Sequence, residues 1–317
     1  VRVVVIGGSG HIGTYLVPRL AAKGHEVVNV TRGKSRPYAP HAAWNGVKQV
    51  IADREEEERR GVFGKRVRDI GGEVVIDLIC FEPESAREIV ENLHGRVQQL
   101  LICCTVWVHG HSVEVPTVES APRRPFGDYG VKKAHIESYI LQEARRRGFA
   151  AAVLHPGHIV GPGWPPVNPA GNVNPKVFET LAHGRELAIP NLGLETVHHV
   201  HADDVAQAFI GAMDNWAAAA GESFHVVSER ALTLRGYAEA VSSWFGKEPR
   251  LKFLPWEEWK KTASVEDAEA TWDHIAHSPC VSIEKAKRSL GYRPRYSSLE
   301  AIRESVEWLI ASGAITV

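Results

Sequence analysis

The first thirteen residues, VRVVVIGGSGHIG, constrain the fold more than any other stretch of the chain. An apolar, β-branched run from Val3 to Ile6 stops at Gly7 and Gly8, and glycine returns at Gly10 and Gly13. Beyond it, His11 to Lys23 carries Ile12, Leu16, Leu20 and Ala21 at near-helical spacing. Glycine allows a turn whose backbone angles are closed to other residues. It also leaves room for an anion to reach the N–H groups at the helix N-terminus, where the dipole favours negative charge. The string fits both Gly7-x-x-Gly10-x-x-Gly13 and Gly8-x-Gly10-x-x-Gly13. Strand, glycine turn and helix together predict the phosphate-cradling start of a dinucleotide-binding fold, with Gly7, Gly10, His11, Ile12 and Gly13 around the phosphates.

The pattern continues. Strands are expected at 1–6, 26–31, 47–52, 73–79, 98–104 and 150–155, with helices at His11–Lys23, Pro83–Leu93 and Asp128–Arg147. Such alternation implies an α/β fold, a Rossmann-like doubly wound parallel sheet covered on both faces. The charged run Arg54 to Arg60 reads as a solvated helix or loop without a function. Residues 161–175, GPGWPPVNPAGNVNP, hold too much Pro and Gly for regular structure, and a loop of that length usually serves a site. Helices are then expected at Val177–His183, Asp203–Met213, Leu234–Phe245, Ile283–Leu290 and Leu299–Ile310, with strands near Val197–His201, Ser223–Val227 and Arg250–Phe253. We expect a dinucleotide-binding domain over 1–160 and a smaller α/β substrate lobe over 161–317, with a segment near 196–227 returning to the sheet.

With 317 residues, 44% of them hydrophobic, the chain can bury a large core. A formal charge of −1 gives no electrostatic footprint for nucleic acid. No apolar run approaches the roughly 20 residues that span a bilayer, and the N-terminus reads as a core strand rather than a signal peptide. Cys80, Cys103, Cys104 and Cys280 show no zinc spacing and read as reduced thiols of a cytoplasmic protein. His199 and His201 alternate and share a strand face, but no third ligand follows at a convincing spacing, so no metal is expected. Trp244, Trp256, Trp259, Trp272 and Trp308 read as packing.

Tyr129 and Lys133 stand four apart on an expected helix, which puts them on one face. A free phenol, with a pKa near 10, is a poor base at neutral pH. A neighbouring ammonium favours the phenolate, which can then take a proton from an alcohol while hydride leaves the same carbon for a nicotinamide.

On these residues the chain resembles the extended short-chain dehydrogenase/reductases, specifically the NAD-dependent epimerase/dehydratase group. GGSGHIG is similar to its GxxGxxG turn, and Tyr129 with Lys133 to its YxxxK pair. CCTVWVHG at 103–110 resembles its SSxxxVYG segment, HPGHIVGP at 155–162 its RPxxVYGP segment, and HADDVA at 201–206 its HVDDVA segment. SIEKAKRSLGYRPRYSSLEAIRESVEW resembles the C-terminal stretch of its sugar-nucleotide members. The resemblance implies Thr105 as the hydroxyl that orients the reacting oxygen, Tyr129 as general acid/base, and Lys133 on the nicotinamide ribose. It implies Asp53 at the adenine amino group, Leu78 and Ile79 against the ribose, and Pro156 and His158 beside the nicotinamide. Substrate would meet Thr105, Trp107, His158 and His201. It also implies a homodimer through the Tyr129 helix and its neighbour, with Ile136, Tyr139 and Ile140 either in that interface or on the sheet.

The departures matter as much. The second strand ends in Thr31 and Arg32, where a free 2′-hydroxyl usually meets an acid; guanidinium suits a 2′-phosphate, so NADP is favoured over NAD. Val106 and Trp107 replace the carboxylates that resemble dehydrating and decarboxylating members, which leaves simple hydride transfer. Val197 and His155 stand where many sugar-nucleotide members have arginine, so a free sugar, polyol or other small hydroxy compound comes into view. Three readings result. One is an NAD(P)-dependent epimerase or related oxidoreductase of a sugar or sugar nucleotide. Another is an NADPH-dependent reductase or dehydrogenase of a non-nucleotide carbonyl compound. The third is a non-catalytic dinucleotide- or RNA-binding protein, because a TRG-like second strand end also resembles chloroplast RNA-binding proteins.

Overall fold

A computed structural model describes residues 1–317. The first half contains β1 (Arg2–Ile6), α1 (His11–Ala22), β2 (Glu26–Thr31), β3 (Lys48–Ile51), α2 (Arg54–Arg59), α3 (Phe63–Ile70), β4 (Val74–Asp77), α4 (Pro83–Leu93), β5 (Gln99–Cys103), α5 (Gly127–Arg147) and β6 (Ala151–Pro156). The second contains β7 (His158–Val160), α6 (Lys176–Ala182), β8 (Leu187–Pro190), β9 (Thr196–Val197), β10 (His199–His201), α7 (Ala202–Asp214), α8 (Trp216–Ala219) and β11 (Ser223–Val226). It continues through β12 (Leu232–Thr233), α9 (Leu234–Trp244), β13 (Leu251–Leu254), α10 (Trp256–Trp259), α11 (Val265–His277), α12 (Glu284–Leu290) and α13 (Ser298–Ala311).

Seven strands form one parallel sheet in the order β11-β6-β5-β4-β1-β2-β3. Val3, Val5, Ile76 and Leu101 face one side, with Leu16 and Leu20 of α1 and Phe209 of α7. Val4, Ile6, Val75 and Ile102 face the other, with Phe63 of α3, Ile89 of α4 and Ile140 of α5. Burial on both faces explains why these strands read as continuous apolar runs. The strand order reverses between β1 and β4, and ligands of such sheets bind in the crevice beyond the strand ends at that switch. Ile136 and Ile140 are fully buried on the sheet, which assigns both to the core rather than to a subunit contact.

A separate apolar cluster joins Phe178, Ile189, Tyr237, Val241, Ile302 and Val306 in the second half. The strand expected near 197–201 is two strands. β9 pairs antiparallel with β12, and β10 pairs parallel with β7. The break falls at His198, whose ring bonds the Ser228 carbonyl at 3.0 Å. No helix is long and apolar enough to cross a membrane.

The charged run after β3 corrects the sequence reading. It is a helix, but Arg54 and Glu57 are buried. Arg54 bonds Glu58 at 2.6 Å, Asp77 at 2.9 Å and the Ile79 carbonyl at 3.0 Å. Periodicity missed this because the buried partner of Arg54 is not an apolar side chain but the carboxylate of Asp77 on β4.

Candidate active site

The glycine turn works by contact. Gly7 has φ of +82°, a left-handed conformation in which a side chain would be strained. A Cβ on Gly13 would collide with the Gly8 backbone, so only glycine lets α1 lie this close to the end of β1. Asn29, fully buried in β2, accepts from the Gly8 N–H at 3.0 Å and donates to Ser9 Oγ at 2.9 Å. Sequence reasoning passed over Asn29, although a lone amide inside the run HEVVNVT was a visible signal. No side chain caps the N-terminus of α1, and no acid occupies its first turn. That leaves the helix end open to an anion.

Two cavities flank this turn and share Gly7, Gly10, Ile79 and Phe81. One, of about 380 Å³, lies at the end of β2 and is lined by Thr31, Arg32, Lys34, Ser35, Arg54 and Glu58, among others. The other, of about 320 Å³, is lined by His11, Ile12, Leu78, Cys103, Thr105, Tyr129, Lys133, Pro156 and Trp164, among others. A two-headed ligand with a central diphosphate fits this plan: two chambers, with the bare helix end between them.

Tyr129 sits in the first turn of α5 and Lys133 one turn on. Lys133 is almost wholly buried, and its Nζ donates to the carbonyls of Cys80 (2.7 Å), just past the end of β4, and Cys103 (3.0 Å), the last residue of β5. It lies 5.7 Å from the Tyr129 ring centre and 4.7 Å from that of Phe81. Burial works against the Lys133 charge, yet the Tyr129 phenol and nearby thiols outweigh it, and the amine titrates above its ordinary value. For Tyr129, desolvation raises the phenol pKa, while Lys133 and the Thr105 hydroxyl pull it down without overcoming that rise. This corrects the simple expectation that the lysine alone makes the phenol acidic. Thr105 follows β5, and its Oγ1 accepts from the Trp107 N–H at 3.3 Å.

The remaining expected residues divide. Arg32 is exposed at the rim of the larger cavity. Asp53 caps α2 by accepting from Glu56 N at 3.3 Å; its neighbours Ala52 and Arg54, rather than Asp53, line that cavity. His201 is not brought to Tyr129. Its Nδ1 accepts from Asp203 N at 3.0 Å and its Nε2 lies 2.9 Å from Glu304, so both nitrogens serve the start of α7 and its contact with α13.

Trp107 instead meets an imidazole wall. Its ring centre lies 5.9 Å from Tyr129, 4.1 Å from His277, 5.4 Å from His274 and 6.4 Å from His158. His158 approaches His199 and His274 at 5.5 and 5.0 Å. Burial drives His199 down to about 3, His277 to about 4, and His158 well below its ordinary value. All three are neutral at pH 7. Both nitrogens of His158, Nδ1 of His199 and Nε2 of His277 lack protein partners. No group of three or more His, Cys, Asp or Glu side chains is arranged to hold a metal ion. Trp164, from the Pro/Gly-rich loop, stacks on His11 and donates to the Ile159 carbonyl at 3.1 Å. Phe81, Trp164, His274 and His277 were not singled out from sequence, because only the fold brings them to the cleft.

The chain matches the NAD dependent epimerase/dehydratase family over residues 3–60 and 84–226. It is 27% identical to chloroplast stem-loop binding protein of 41 kDa b from Arabidopsis thaliana, over 96% of this chain and 78% of that protein. It is 26% identical to 2′-dehydrokanamycin reductase from Streptomyces kanamyceticus, over 86% and 76% of the two chains. UDP-glucose 4-epimerase from Mycolicibacterium smegmatis is also 26% identical, over 97% and 98%. Among solved structures, UDP-glucose 4-epimerase from Thermotoga maritima superposes with a TM-score of 0.73 at 23% identity, covering 98% of this chain and 99% of that one.

Proposed function

This chain belongs to the NAD dependent epimerase/dehydratase family, and from that premise we propose that it is an NAD(P)-dependent epimerase or related oxidoreductase working by hydride transfer at a secondary alcohol of a sugar-like substrate. The supporting observation is Lys133: a buried cation pinned by two strand-end carbonyls, one helical turn from Tyr129, on the cavity that the glycine turn also lines.

In this reading the N-terminus of α1, with Gly7, Gly10, His11, Ile12 and Gly13, holds a diphosphate. Leu78, Ile79 and Pro156 pack beside the sugar and ring that follow. Lys133 fixes the ribose and keeps positive charge near the phenol. A bound nicotinamide supplies the hydride acceptor. Thr105 donates to the reacting oxygen and Tyr129 moves its proton. Because crowding by the cleft walls raises the Tyr129 pKa although 42% of the residue stays exposed, its phenolate needs cationic charge beside it to form near neutral pH. Trp107 and the neutral imidazole of His158 offer a stacking face and uncharged hydrogen-bonding groups, which suit hydroxyl-rich substrates. We read 1–160 as the dinucleotide part and 161–317 as the substrate lobe, with β11 carried back to the sheet, in a homodimer.

A second reading is favoured by Arg32 and Lys34 at the larger cavity: a reductase or dehydrogenase that prefers NADP and releases it each cycle. One experiment addresses both. The purified protein is incubated with NAD⁺ or NADP⁺ and UDP-glucose, dTDP-glucose or galactose, and products and copurified cofactor are identified by mass spectrometry. Wild type should convert a probe, and Tyr129→Phe should lose turnover by about 10³-fold while still binding cofactor. Unchanged turnover in Tyr129→Phe rejects the mechanism. Salt-sensitive RNA binding without turnover would instead favour a non-catalytic role.

A further inference from the structure

We propose that His155, held as an imidazolium by Glu137, is a positioning residue that fixes the Thr105 turn; the functional part of this rests on the reading of Thr105 and Tyr129 above. β6 carries His155 to the strand end beside β5, where it is fully buried. Its Nδ1 lies 2.8 Å from the Thr105 carbonyl oxygen and its Nε2 lies 2.9 Å from Glu137 Oε1. A carbonyl and a carboxylate can only accept. One imidazole serves two acceptors only when both ring nitrogens carry a proton, so the geometry itself requires the cation.

Glu137 cannot relieve this by protonating. Arg123 clamps both its oxygens, at 2.8 and 2.6 Å, in a bidentate pair that favours the carboxylate. The result is a chain, Arg123–Glu137–His155–Thr105, buried from Glu137 onward, running from the 111–126 segment through α5 and β6 to the Thr105 turn. Burial lowers the imidazole pKa, but Glu137 outweighs it and His155 is pushed up to about 10. The groups facing it are Glu137 of α5, Cys104 after β5, Arg123, and His109 and His225. Burial lowers the last two, leaving both neutral at pH 7.

Thr105 is thereby held twice. His155 fixes its carbonyl, and the Trp107 N–H occupies a lone pair of its hydroxyl. The hydroxyl proton then faces the Tyr129 phenol and the cleft, where it can serve that oxygen or a substrate oxygen. The resemblance places arginine where this chain has His155; guanidinium could donate to both acceptors as well.

The test uses the full chain and two readouts. In ring-¹⁵N histidine spectra at pH 7.5, His155 should show two protonated nitrogens in wild type and only one in Glu137→Gln. The Trp107 backbone amide reports the turn without substrate. It should shift in His155→Gln and return towards its wild-type position in His155→Arg. With whichever of UDP-glucose, dTDP-glucose or galactose the wild type converts, His155→Gln should lower kcat by up to about 10²-fold. KM for the nicotinamide cofactor should be unchanged, and His155→Arg should recover most of the loss. A singly protonated His155 in wild type overturns the proposal. So does an unmoved Trp107 amide, or kcat within twofold of wild type, in His155→Gln. If His155→Gln fails to fold, Glu137→Gln decides through its protonation state and the same amide. Turnover that survives in Tyr129→Phe defeats the reading of the site, while the two spectroscopic arms still judge the imidazolium.

Discussion

The two chambers beside the glycine turn hold their charges in opposite ways. At the β2 end, Arg32 and Lys34 stand in solvent at the rim, and only Arg54 is locked, by Asp77 and Glu58. At the Tyr129 end Lys133 is buried and fixed by backbone carbonyls, and His158 and His199 of the adjoining wall are neutral. Exposed charge attracts a ligand weakly and fades with salt. A buried, preorganised cation acts in low dielectric, where charge developing in a reaction feels it most. One end is suited to recognition and the other to chemistry.

Acid should separate the two ends most strongly. His11 and His199, near 3, and His198 and His277, near 4, are all depressed by burial. A histidine lowered in the fold contributes stability that is complete above its unfolded value of about 6.5 and is lost as pH falls. Each can cost up to about 2 kcal/mol by pH 5. The melting temperature should therefore fall steeply between pH 6.5 and 5. Hydrogen exchange should show α11 and the β7–β10 pair losing protection before β2 and β3. Simultaneous loss at both ends would erase the distinction.

Lys133→Met tests the buried cation and should reduce turnover by about 10²–10³-fold, mainly in kcat. A change confined to cofactor KM would make Lys133 a binding group only. On the other side, Arg54→Met leaves Asp77 buried and unpaired, and should cost about 3 kcal/mol in denaturant unfolding. Arg54→Met with Asp77→Asn should recover much of that, as coupled neighbours do; additive losses would deny the pairing. The smallest effect is expected for Arg32→Ala. NADP⁺ affinity should drop about tenfold, some 1.4 kcal/mol, with NAD⁺ unaffected and the difference shrinking with salt. Calorimetric titration at two ionic strengths would show it.

Much of the sheet was legible because both of its faces are buried. Each strand then becomes an unbroken apolar run between turn signals, as in Val3–Ile6 and Leu100–Cys103. The Tyr129–Lys133 pair was legible because one helical turn fixes its geometry. The fine tuning was not. The phenol pKa depends on desolvation and on Cys103, Cys104 and Thr105 as well as on the lysine, and those three lie more than twenty residues away in the chain. His199 and His201 looked like partners on one strand face, yet they bond the Val167 carbonyl and Glu304 respectively.

By itself, the sequence determined the elements that follow from local pattern: the parallel α/β fold, the glycine turn, and a phenol and an amine on one helical face. Chain periodicity and backbone geometry are properties of neighbouring residues, so a linear string records them. Only the tertiary structure decided which charges are buried, which histidines stay neutral, and that Arg54 finds Asp77 and His155 finds Glu137. Those outcomes depend on solvent exclusion and on contacts between segments far apart in the chain.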